Sequence, residues 1–104
     1  MSYLGRDFDP IVPGESEIFT IDFVNDLPED DEINTVTFAI AVVTGTDASA
    51  STRLIGSPTI LDTTVLHRVG DCVANVVYRL TATVTTTHSN TLKLYSHINC
   101  VSPY

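Results

Sequence analysis

At 104 residues, 43% of them hydrophobic and 17% charged, the chain has the size of one domain with a single core. Thirteen acidic residues against five basic give a formal charge of -8, which disfavours nucleic acid and anionic membranes as partners, because both would repel it. Neutral or basic surfaces are the expected partners, and no stretch approaches the roughly 20 apolar residues of a membrane-spanning helix.

Residues 1–15 carry Gly5, Pro10, Pro13 and Gly14 and show no sustained alternation, so they read as an extended N-terminal arm. Phe8, Ile11 and Val12 are its apolar contacts, available to the chain's own domain or to a neighbouring subunit. The segment from Met1 to Pro10 has acids and a proline where a signal peptide needs an apolar run. Synthesis in a cytosol without secretory export is therefore expected.

The remainder, 16–104, alternates with a period of two. A first strand covers roughly Ser16 to Val24, with Phe19, Ile21 and Phe23 on one face and Ile18, Thr20 and Asp22 on the other. Asn25 to Glu32 is the most charged stretch and contains Pro28, which makes it a solvated loop. Its acids lack the spacing and the glycine of an EF-hand loop, so no metal is assigned to it; charge beside a strand also discourages edge-to-edge pairing. A second strand runs from about Ile33 to Val43, with Val36, Phe38, Ile40 and Val42 inward and Thr35, Thr37, Ala39 and Ala41 outward.

Thr44 to Thr52 reads as an exposed, flexible loop of small residues around Gly45 and Asp47. Short β segments near Arg53 to Ile55, Thr59 to Leu61 and Thr63 to Val69 follow, broken by Gly56-Ser57-Pro58 and Asp62 and closed by Gly70-Asp71. The last third is one hairpin: Val76, Tyr78, Leu80, Ala82 and Val84 share a face with Leu92, Leu94, Ser96, Ile98 and Cys100. Arg79, Thr81, Thr83, Thr85, Lys93, Tyr95 and His97 share the other. A turn centred on Ser89 places Val84 opposite Leu94, Leu80 opposite Ile98 and Tyr78 opposite Cys100. Seven or so short strands with frequent turn signals and no convincing helix predict an all-β, antiparallel two-sheet β-sandwich. Tyr78, at the start of the penultimate strand, stands where Ig-like sandwiches place a tyrosine that bonds back to the preceding corner, although Trp is absent.

The two cysteines are expected to be free thiols. If residues 72 to 78 stay extended, Cys72 lies roughly 20 Å from the position opposite Cys100, whereas a bridge needs Cα atoms within about 7 Å. Only a sharp fold-back of residues 70–76 would change this. His67, His88 and His97 are dispersed, no nucleophile sits in a Gly-flanked turn, and no glycine loop suits a phosphate, so neither catalysis nor a cofactor is assigned.

Two stretches, IFTIDFVNDLPEDDEINTVTFAIAV and VGDCVANVVYRLTATVTTTHSNTLKLYSHINC, resemble small phage-encoded Ig-like proteins found among virion structural genes. The likeness spans 16–101 and rests on Asp31-Glu32-Ile33 leading into the second strand and on Gly70, Tyr78, Leu80, Val84 and Thr85. Asp71-Cys72 departs from it, since a glycine-rich corner is usual there. The resemblance implies a non-enzymatic bacteriophage virion protein, a capsid decoration or head-tail accessory subunit that docks by its arm and edge strands. Its partners would be capsid, neck or tail proteins, with a homo-oligomer set by particle symmetry, for which a trimer is the expectation. The alternative is a carbohydrate- or receptor-binding module for host attachment, for which Tyr95 is the clearest exposed aromatic.

Overall fold

The alternating apolar residues of the last third form a long antiparallel pair in the computed structural model, which describes residues 2–4, 8 and 10–101. Strand β6 (Val76–Thr86) and strand β7 (Thr91–Cys100) bury every second side chain, as the parity of the sequence requires. Val84 lies opposite Leu92, Leu80 opposite Ser96 and Tyr78 opposite Ile98. The register thus differs by two residues from the one expected. The tip centres on His88, with Thr85 opposite Thr91, and Ser89 takes a left-handed conformation after that centre instead of forming it. A two-residue slide preserves parity, so every side chain keeps its expected face.

Five further strands complete the described fold: β1 (Ser2–Tyr3), β2 (Ser16–Asp22), β3 (Ile33–Thr44), β4 (Leu54–Leu61) and β5 (Thr64–Gly70). One sheet has the order β1-β7-β6-β3 and the other β2-β5-β4. All pairings are antiparallel except β1 with β7. The sheets form a β-sandwich whose core joins Phe19, Ile21, Phe23, Val65 and Val69 to Phe38, Tyr78, Leu80, Val84 and Ile98. The inward His67 is buried too: its ring meets Phe38 of the opposite sheet edge-on, and Nδ1 lies 2.8 Å from the Arg68 carbonyl.

The segments expected near residues 53–61 merge into one strand, β4, whose register breaks between Ile55 and Thr59 at Gly56 (φ 77°). Gly70 is needed for close approach: a Cβ there would stand 2.7 Å from Ser16 Cβ and 2.8 Å from Ile55 Cδ1. The 45–53 connection is better tied down than its composition suggests. A 3-10 turn forms over Ala50–Arg53, and Asp47 accepts from Arg53 Nε at 2.9 Å and from the Tyr78 hydroxyl at 2.7 Å. Tyr78 also does what its position implied, since its hydroxyl accepts the Val73 N–H at 2.9 Å across the corner.

That corner overturns the expectation of free thiols. Cys72 and Cys100 form a disulfide with Cα atoms 6.2 Å apart. Left-handed Asp71 and Asn75 (φ 56° and 65°) reverse the chain between β5 and β6, and Asn75 N donates to Cys100 O at 2.8 Å. The 20 Å separation held only for an extended chain; short polar residues that tolerate positive φ remove it.

Candidate functional site

The four residues singled out as contacts separate into two groups. Phe8, Ile11 and Val12 belong to the N-terminal segment, whose described residues run along the outer edge of β7. Leu4 N donates to Tyr95 O at 2.7 Å, Phe8 N to His97 O at 3.1 Å and Ile11 N to Asn99 O at 3.1 Å, and Val101 N returns to Ile11 O at 2.9 Å. Side chains follow this path inward: Ile11 is fully buried, Phe8 packs edge-on against Phe19 with centroids 5.0 Å apart, and Val12 is half-buried. Met1, Gly5, Arg6, Asp7 and Asp9 of the expected arm lie outside the described residues, as do Ser102, Pro103 and Tyr104.

Tyr95 points to the opposite side, onto the outer face of the larger sheet, and there it has company. Its ring lies 5.5 Å from that of Tyr3 and 5.8 Å from that of His97, and the Arg79 guanidinium stands 4.8 Å over its centroid. The contact of Arg79 with the ring is a cation–π interaction worth about 0.5 to 2 kcal/mol. Arg79 and His97 are cross-strand neighbours, as are Thr81 and Tyr95, so the β6–β7 pairing assembles this part of the cluster. Tyr3 arrives by the β1–β7 pairing, which no periodicity announced. Around the cluster, Thr37, Thr83 and Lys93 form one cross-strand row and Thr35, Thr85 and Thr91 another, with the Thr35 and Thr85 hydroxyls hydrogen-bonded to each other.

The acidic stretch is only partly the solvated loop expected. Asp26, Glu29, Asp30 and Glu32 are exposed, but the Asp31 side chain is enclosed. It accepts from Thr87 Oγ1 at 3.0 Å, His88 N at 3.1 Å and Asn90 Nδ2 at 3.1 Å, clasping the β6–β7 tip. Burial pushes its carboxyl up, but bonds from Thr86, Asn90, His88 N and Thr87 outweigh that and hold it well below the usual carboxylate range. The Arg53 guanidinium and the Tyr78 hydroxyl likewise hold the Asp47 carboxyl low against its own burial. Beside Asp31 a pocket of about 360 Å³ opens between the sheets, floored by Leu27, Ile33 and Ile60 and rimmed by Glu32 and Asp62. Among the described residues no group of three acids, histidines or cysteines is arranged to hold a metal ion.

Both lowered carboxyls stabilise the fold above the unfolded-state pKa of about 4, and that stabilisation is lost as pH falls through the lower folded values. Urea midpoints are expected to drop between pH 6 and pH 2.5, and to drop less when Asp31→Asn and Asp47→Asn are combined. Equal drops in the two proteins would remove these carboxylates as the source.

In comparisons with known proteins, no family model matches the chain, and no curated protein sequence matches it either.

Proposed function

We propose that this protein is a non-enzymatic structural subunit of a bacteriophage virion, an Ig-like capsid decoration or head-tail accessory protein that joins its neighbours by its arm and edge strands. The resemblance of 16–101 to Ig-like virion proteins supports the class. The observation that carries the docking mode is the N-terminal segment on β7: main-chain bonds from Leu4, Phe8 and Ile11 add it to an open sheet edge. Strand addition of this kind works in the same way on the chain's own sheet or on a neighbour's, because the backbone supplies the bonds whichever copy donates the arm. Ile11 then matters as an anchor, since in the monomer it fills a fully buried position.

The test is mass spectrometry of purified particles, with peptide counts giving copies per virion. Hundreds of copies are expected for a lattice decoration and about a dozen or fewer for a neck or tail position; absence from the particle overturns the reading. Deleting residues 1–8 leaves Ile11 in place, so the shortened protein should still melt cooperatively while its incorporation falls. Undiminished incorporation would remove the arm as the docking element.

A further inference from the structure

We infer that the outer face of β3, β6 and β7 receives the acidic loop, residues 26–32, of a second copy of this chain. The contact concerns copies of this chain alone and stands independently of the arm and of any larger particle.

Charge is segregated on the described surface. Outward positions of these strands are Thr35, Thr37, Ala39 and Ala41 on β3, Val77 to Thr85 at odd numbers on β6, and Thr91 to Asn99 at odd numbers on β7. None of these is acidic, although the chain carries 13 acids against 5 bases. Of the four described bases, Arg53 is consumed by Asp47, and Arg68 bonds Ser16 on the other sheet. Arg79 and Lys93 remain, both on this face. The Arg79 guanidinium stands over the Tyr95 ring, 4.8 Å from its centroid, and its Nε is buried without a hydrogen-bond partner among the described residues. A guanidinium already fixed in place loses little entropy on meeting a carboxylate, and planar donors suit carboxylate geometry.

The loop is equally prepared. Asp26 N and Leu27 N donate to Phe23 O, Asp31 N donates to Pro28 O, and the Asp31 side chain is clasped by the hairpin tip. Asp26, Glu29, Asp30 and Glu32 are thus presented on an ordered turn, exposed and without a described basic partner. The loop does not reach its own face at Arg79. It enters β3 at Ile33, whereas Arg79 pairs with Ala41, roughly 27 Å further along the strand. Only another copy brings the two together. Each copy carries both halves, so the association either closes as a two-fold pair or continues head to tail. At physiological salt the Debye length of about 8 Å confines the repulsion between two acidic molecules, leaving the local pairing to decide.

Sedimentation velocity of the full chain across a concentration series in 150 mM NaCl tests this. Concentration-dependent association is expected, weakened about tenfold or more in 1 M NaCl. Lys93→Glu, at an exposed site that leaves the fold intact, should weaken it by a similar factor, as should Glu29→Lys with Asp30→Lys and Glu32→Lys. The loop variant is the discriminating one. It brings the net charge towards zero, so general repulsion predicts stronger association and the specific contact predicts weaker. Mixing the Lys93→Glu protein with the loop variant should restore a complex that neither forms alone. A monomer at every concentration, or association indifferent to these reversals, overturns the inference.

Discussion

Replacing Cys72 and Cys100 together by Ala should lower the unfolding free energy by about 3.5 kcal/mol and Tm by roughly 15 to 25 °C. The bridge spans 28 residues of sequence, and the loop-closure entropy it removes from the unfolded chain gives that magnitude. The folded state contributes as well. Cys100 is fully buried at the end of β7, Cys72 is nearly so, and the corner they hold carries the Val73 bond to Tyr78. Guanidinium unfolding of the oxidised protein and the double variant is the measurement. A difference below 1 kcal/mol would mean that the corner is held without the bridge.

Leu80→Ala should cost about 2 to 5 kcal/mol, because it empties a fully buried position in the central strand of the larger sheet. Thr83→Ala, three residues on and facing outward, should cost under about 1 kcal/mol. Urea midpoints of the two variants decide the matter. Because parity alone assigns these residues to opposite faces, reversed magnitudes would overturn the placement of β6 and with it the cross-strand arrangement of Arg79 and Tyr95.

The faces were legible because burial on one side of a pleated strand writes itself into every second residue, as in the run from Val76 to Val84. Register was less so. Slides of two residues leave the alternation unchanged, and the position of the tip depends on which of Thr87, His88 and Ser89 adopts positive φ. The disulfide was hidden by the same class of event, since Asp71 and Asn75 turn the chain where an extended reading carries it onward. Tyr95 could be placed outward from its number alone, and Arg79 and His97 with it. Tyr3 could not, because its neighbour is set by backbone pairing in a segment without a pattern. Asp31 looked like one acid among several; only the three-dimensional return of the hairpin tip gives its carboxylate four donors.

The parallel lay of the N-terminal segment on β7 has a mechanical side. Tension applied between Tyr3 and Val101 pulls two adjacent parallel strands along their length in opposite directions, so that the bonds at Tyr95, His97 and Asn99 are loaded together in shear rather than opened one after another. At the far end of β7 the load passes through Cys100 into Cys72 and the corner beyond it, a covalent path that no hydrogen bond has to carry. A domain strung this way resists stretching along the axis of its larger sheet, while a force applied across that axis would peel the segment from one end.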